Sequence, residues 1–423
     1  MQALPRQRLR KVQIAMLLTF IFMGHAALSS VAWVPEYISR LEVSFATWGT
    51  IIGFGIIGSI SPLFFASRLM MRFGSRPVIR VANYGGLIFL VSLGLTSDPV
   101  IWFLLNMAFN FCMSLLGVSV NSHGVLLQKK ISRNIIGRMH AGWSVGAVMA
   151  AFTGAVATVY LSLEIYLVLV AIVTFIVFEF TLRWLMSPVE DGHLEEKAGL
   201  IKRRFYEMPS QLWWLTVGLF CGIYPEVAII DWAAVFARDI LNVDVALRSV
   251  PFAVFMVGMI AGRLSMTKMA ERHHPHLIAS RGSFLAAVAL TVNVLLAQTV
   301  AGFSPIVGLV LTSSLWGLAG FGLASVSPAF YSAAGHVPGV STSWAVSRLS
   351  LLNSVIAIGA KTLMGALTEE VGLSLAFIFP IVLAVGAGVI AGMFASRANQ
   401  EELNDAAPGS GPITIISPNV GDR

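Results

Sequence analysis

The sequence predicts an all-α membrane protein of twelve transmembrane helices in two six-helix bundles, with both termini cytoplasmic. Three observations carry that expectation. The chain of 423 residues is 57% hydrophobic and only 12% charged, where a soluble domain is roughly 25% charged. Its apolar residues gather in stretches near the ~20 residues that cross a hydrocarbon core as a helix. One charged segment, SPVEDGHLEEKAGLIKRRFYEMPS at residues 187 to 210, divides those stretches six and six.

The expected spans are 12 to 36, 45 to 66, 77 to 96, 99 to 126, 138 to 161, 163 to 186, 211 to 235, 247 to 267, 276 to 299, 302 to 330, 340 to 366 and 371 to 396. Each reads as a helix because a helix satisfies its own backbone polar groups away from water. The length of the fourth, tenth and eleventh predicts tilt or protrusion, and Pro328 predicts a break near the end of the tenth. Residues 1 to 186 are thus an N-terminal bundle, 187 to 210 a cytoplasmic linker and 211 to 396 a C-terminal bundle. The polar stretch 397 to 423, with Gly and Pro and no helical period, reads as a disordered cytoplasmic tail.

Orientation follows from the basic residues. Arg6, Arg8, Arg10 and Lys11 precede the first span, and Arg68, Arg72, Arg76 and Arg80 surround the loop after the second. Lys129, Lys130, Arg133 and Arg138 follow the fourth, Lys197, Lys202, Arg203 and Arg204 the sixth, and Lys268, Arg272 and Arg281 the eighth. The other loops hold Arg40, Arg238 and Arg248. Lysine and arginine favour the cytoplasmic side, which places both termini there. The net charge of +7 then suits an anionic leaflet of the lipid bilayer and calls for no nucleic acid.

Cys112 and Cys221 fall inside apolar spans and suggest no disulfide framework. HHPH at residues 273 to 276 lies in a basic loop without the carboxylate or cysteine companions of a catalytic metal. Walker-type, H-E-x-x-H and CxxC motifs are missing from the sequence. No enzyme, metal or cofactor is expected.

Shifting the chain by 200 positions lays GSISPLFFASRLMMR, from Gly58, over GMIAGRLSMTKMAER, from Gly258, with Arg72 on Arg272. Trp33 falls close to Trp232 at nearly the same shift. An internal duplication of six helices explains both, and parallel halves about an axis along the membrane normal are a transporter plan.

FASRLMMRFGSRPVI, after the second span, resembles the loop signature of the major facilitator superfamily, G-x-L-x-D-R-x-G-x-R. Leu69, Arg72, Gly74 and Arg76 match it, Ser67 replaces the first glycine, and Met71 replaces the aspartate. Arg263 and Arg272 stand in the second copy. GVSVNSHG, GRMHAGWSVGAV, PEVAIIDW and AVSRLSLLNSVIAIGAKTLMGALTEEVGL are similar to one branch, sugar-permease-like transporters that include the YbjJ-type and rhizopine-locus membrane proteins. The resemblance implies the major facilitator fold and a secondary transporter of a bacterial inner membrane, a monomer that moves a small-molecule solute by alternating access. A sugar, polyol or aminated cyclitol is the implied solute class, with a proton as a possible coupling ion. An exporter of amphipathic compounds and a non-transporting receptor are the open alternatives; Ala147, at the proline position of the antiporter signature, argues mildly against the first. In the superfamily the loop aspartate helps to hold the cytoplasmic side closed, so Met71, Arg72, Gly74, Arg76, Arg263 and Arg272 are expected gating residues.

The plan implies a cavity lined by the first, fourth, seventh and tenth helices and flanked by the second, fifth, eighth and eleventh. Ionisable groups inside a membrane are costly and usually functional. Glu226 and Asp231 of the seventh span lie about 7.5 Å apart along the axis and differ by roughly 140° in direction. Glu226, roughly 20 Å into the span, is the better proton carrier or solute anchor. Lys361 is a potential partner for either acid. Asn121, His123 and His140 are read as a polar cluster at the cytoplasmic mouth. His25 lies roughly 20 Å into the first span, and Asn106 and Asn110 share a helix face. Arg348 and Asn353 complete the polar set, with interhelical hydrogen bonding as the competing use of each. Trp143 and Trp316 are expected to face the cavity, whereas Trp33 and Trp232 end their spans and read as interfacial belt residues.

Overall fold

The structure is a computed structural model that describes residues 5–131, 135–191, 208–270, 272–338, 340 and 342–406. Twelve helices among them are long and apolar enough to cross a membrane. In chain order they are α1 Arg6–Arg40, α2 Phe45–Phe73, α3 Ser75–Leu95, α4 Pro99–Gln128, α5 Gly137–Tyr160, α6 Leu163–Trp184, α7 Ser210–Asp239, α8 Val245–Met266, α9 Pro275–Phe303, α10 Pro305–Ala334, α11 Trp344–Val371 and α12 Leu373–Ser396. The charge-rich end of the molecule, where α1 begins and α12 ends, is called the basic end below.

Prolines set the internal breaks. Proline removes its own N–H and crowds the carbonyl four residues earlier. In α1 a 3-10 turn at Val31–Trp33 precedes Pro35, and in α10 the helix stops at Leu323 and restarts at Val326. The break expected near Pro328 therefore falls just before it, around the carbonyl of Ala324. Pro225 sits inside the continuous helix of α7.

Two small-residue ridges pack within the halves. Gly142 and Gly146 of α5 lie against Leu17, Ile21 and His25 of α1, and Gly258 and Gly262 of α8 lie against Gly317 and Phe321 of α10. Close approach of this kind gives van der Waals contact where lipid offers no hydrophobic drive between helices. One apolar cluster joins the two halves through Tyr37, Trp48, Trp232 and Phe236. A second lies in the first half towards the basic end and gathers Val12, Met16, Phe20, Val120 and Phe178.

Two expectations about tryptophan are corrected. Trp33 is buried and stacks on Tyr166 at 5.8 Å, and Trp232 is buried with its ring edge-on to Phe45 at 5.9 Å. Both ends are covered by packed helices rather than by headgroups. The final helical segment, Ile378–Ala406, runs past the end expected at 396, so the polar tail begins as helix. Residues 407–423 of that tail and 192–207 of the linker lie outside the described residues.

Candidate functional site

The halves meet most closely at the end opposite the basic one, where α2 crosses α11. Gly49 and Gly53 face Lys361, Gly365 and Ile358, and a Cβ added to Gly49 would come within 2.7 Å of the Gly365 Cα. Only backbone fits between them. Around this contact the Phe45 N–H donates to Glu369 Oε2 at 2.9 Å, and Arg238 Nη1 donates to the Pro35 carbonyl at 3.3 Å. The glycine pair at positions 49 and 53 was readable as a small-residue motif, but its partner lies in the other half of the chain.

The two acids of α7 are separated in role. Asp231 Oδ2 lies 2.7 Å from Lys361 Nζ, and both side chains are 15% exposed. This pair ties α7 to α11 directly below the glycine contact, reinforced by the Tyr224 hydroxyl donating to the Ala360 carbonyl at 2.7 Å. Glu226 is half-buried. Among the described residues its carboxylate has no hydrogen bond or ion pair, while the charge of Arg263 reaches it.

On the basic side of the glycine contact lies a cavity of about 260 Å³ between α2, α7, α10 and α11. Its polar wall is Tyr331, Ser350, Asn353 and Ser354, and its aromatic wall is Phe220 and Tyr224. Tyr331 Oη and Ser350 Oγ are 3.2 Å apart. Asn353 Nδ2 donates to the Leu349 carbonyl at 2.9 Å and, at 3.5 Å, to that of Thr216 on α7. Its Oδ1 is buried without a protein partner. Val227, which follows Glu226, lines the same cavity. Tyr331, Ser350 and Ser354 were not singled out from the sequence, since hydroxyls in apolar helices commonly bond their own backbone.

Arg263 lies in α8, ahead of the loop. Its Nη1 donates to Ser144 Oγ on α5 at 2.6 Å, linking the halves, and its charge reaches His140 one turn away. His140 is exposed and meets Phe20 edge-on at 5.5 Å. The cluster expected from Asn121, His123 and His140 is not formed. His123 is fully buried, with Nδ1 2.7 Å from Ser75 Oγ and Nε2 accepting from the Met186 N–H at 3.2 Å. It therefore braces α4 against the ends of α3 and α6. Asn121 Nδ2 donates to the Gly117 carbonyl of its own helix at 2.8 Å.

The remaining polar candidates divide between glue and cavity. His25 Nε2 is 3.0 Å from Thr153 Oγ1, in a lipid-facing groove between α1, α5 and α6. Asn110 Nδ2 donates to Asn106 Oδ1 at 3.0 Å, and Asn106 packs on Gly55 of α2. Trp316 is fully buried and stacks on Phe377 at 5.6 Å in the second half's core, not in the cavity. Trp143 is half-buried, with its backbone against Gly24 of α1. The Arg348 guanidinium lies over the Trp344 ring at 5.4 Å.

The family model described as Major Facilitator Superfamily matches residues 126–360, more than half of the chain. The chain belongs to the major facilitator superfamily. It is similar to an uncharacterized MFS-type transporter of Yersinia pestis, 23% identical over 370 residues, covering 86% of this chain and 91% of the relative. An uncharacterized transporter of Sinorhizobium fredii is 26% identical over 402 residues, with 90% and 97% covered. Among solved structures, a bacterial homolog to the human lysosomal transporter Spinster, inward-facing and occupied, superposes with a TM-score of 0.70 at 16% identity, covering 92% of this chain and 97% of that one. A mutant of the nucleoside transporter NupG gives 0.71 at 14% identity, covering 92% and 99%. The molecule is a secondary transporter and a multi-pass protein of a bacterial inner membrane.

The loop after α2 is bordered by acidic groups of α6 and of the segment that follows it. Gly74 adopts a positive φ of 80° and packs on Pro188. That contact brings the segment after α6 under the loop. Glu190 Oε2 there accepts from Arg8 Nη2 at 2.9 Å, and the charges of Glu190 and Glu179 both reach Arg76. Hydrogen bonding from Arg8 holds the Glu190 carboxyl down at about 2. Arg72 lies against the Phe73 ring at 5.1 Å, Met71 is half-buried, and Arg272 is exposed. Glu190 escaped sequence analysis because it belongs to a charge-rich linker, where one acid among several has no distinguishing neighbour.

Proposed function

We propose that this transporter is a monomeric, proton-coupled carrier of a small polar solute, working by alternating access with its basic end in the cytoplasm. In that orientation the glycine contact closes the outer side. The observation that carries the coupling is Glu226: a membrane-embedded carboxylate without a hydrogen bond or ion pair among the described residues, beside a residue that lines the cavity. An unpaired charge in such a place is costly, and taking up a proton removes the cost. Asp231 is unsuited to the task while Lys361 neutralises it.

The branch resemblance supports the solute class proposed here, and the cavity wall is compatible with it. Hydroxyl and amide groups at Tyr331, Ser350, Asn353 and Ser354 beside the faces of Phe220 and Tyr224 match the alternating polar edge and apolar face of a sugar, polyol or aminated cyclitol. Uptake of labelled solutes of these classes into proteoliposomes, with and without an imposed pH gradient, tests the reading. Glu226→Gln should abolish uphill accumulation and preserve solute exchange at zero gradient. Undiminished uphill transport by that variant overturns the coupling role.

A further inference from the structure

A second cavity, of about 550 Å³, lies at the basic end between α7, α9, α10 and α12. α7 and α10 contribute to both cavities, but the side chains that line this one are different. His274, His276 and His336 line it, with Ser332 and Gln211. His276 is only 7% exposed, and its Nδ1 is buried without a protein partner. A buried polar atom of this kind costs stability unless something bonds it.

The other two imidazoles are oriented by their hydrogen bonds. His274 Nδ1 accepts from the His276 N–H at 3.3 Å, which leaves its proton on Nε2. His336 Nδ1 is 2.7 Å from the Ser332 carbonyl, which can only accept, so the proton is on Nδ1 and Nε2 donates only in the imidazolium form. His274 also caps the 29-residue helix that begins at Pro275, whose N-terminal dipole favours an anion. Exposed Lys268, Arg272 and Arg281 stand at the same end of α8 and α9.

Phe394 closes one side of the cavity and also borders a shallow apolar dimple of about 10 Å³ with Trp214, Ile390 and Met393. Trp214 and Met393 are 53% and 45% exposed on the membrane face. A polar, imidazole-lined pocket beside exposed apolar side chains at the end of the bundle suits one amphipathic ligand. We infer that the histidine cavity binds the phosphate headgroup of an anionic phospholipid, with an acyl chain along Trp214 and Met393. The basic surroundings supply charge complementarity that a zwitterionic lipid would not use.

The test uses the purified full chain, with bound lipid counted by native mass spectrometry and melting followed in parallel. Phosphatidylglycerol should be retained and should raise the melting temperature above the value with phosphatidylcholine. The double variant His274→Ala/His336→Ala should lower phosphatidylglycerol affinity by roughly tenfold, the loss expected for charge-assisted hydrogen bonds. His336 is exposed, so His336→Ala alone keeps the test open should the double variant misfold, and it should lower retention in the same direction. Equal effects of the two lipids, full retention by the variants, or the same stabilisation by inorganic phosphate alone would overturn the proposal.

Discussion

Lys361 Nζ lies 2.7 Å from Asp231 Oδ2, whereas Glu226, on the same helix as Asp231, has no such partner among the described residues. Removing one member of a buried pair leaves the other charge uncompensated, at a cost of ~3–5 kcal/mol. Asp231→Asn and Lys361→Met are each expected to lower the melting temperature sharply in detergent. The double variant should recover much of the loss, because it leaves no lone charge. Additive losses in the double variant would show that the two residues act independently.

Gly49 of α2 faces Gly365 of α11 with no side chain between them. Gly49→Leu forces bulk into that contact. Overpacking costs ~1–3 kcal/mol, which shifts a two-state population by at least about fivefold. Cysteine labelling at the end opposite the basic one should rise accordingly, and unchanged labelling would show that the contact does not govern access.

The hydrogen bond from Arg263 to Ser144 links the halves nearer the basic end. Ser144→Ala removes its acceptor, a loss of about 1.5–3 kcal/mol for a bond to a charged group. Spin-label distances between α5 and α8 at that end should lengthen or broaden in the variant, with the opposite end unaffected. An identical distance distribution would count against a gating role for Arg263.

Glu190 gives a pH dependence of defined sign. Its folded carboxyl is held at about 2, below the ordinary value of 4.5. A depressed carboxyl pKa contributes stability that is complete above the unfolded value and disappears as pH falls through the folded one. The wild type should therefore melt higher than Glu190→Gln at pH 7, and the gap should close on acidification from about 4.5 towards 2. A gap that is constant across that range would assign the stabilisation to packing.

The twelve spans were legible because hydropathy and length act along the chain, without reference to partners. The link from Lys361 to an acid of the seventh helix was legible for a related reason: few charges lie inside these spans, and each seeks an opposite one. Side chains whose role depends on which helix they face were not. Trp316 and Trp232 look the same in sequence whether they face solute, lipid or core, and both proved to be core. His123 was read as part of a mouth, but the ends of α3 and α6 close over it. Arg263 was read as a gating residue just before the second loop, but its contact with Ser144 in the other half was not legible.

The approach of Gly49 to Gly365 is backbone against backbone, with no side chain between them that titrates or that a solute could displace. Its strength is thus a fixed load, the same at every pH and every solute concentration. A lock without a keyhole must be released by its neighbours. Two neighbours are able to change state: Glu369, which accepts from the Phe45 N–H, and the Asp231 and Lys361 pair, whose lysine belongs to the same stretch of α11 that Gly49 and Gly53 press upon.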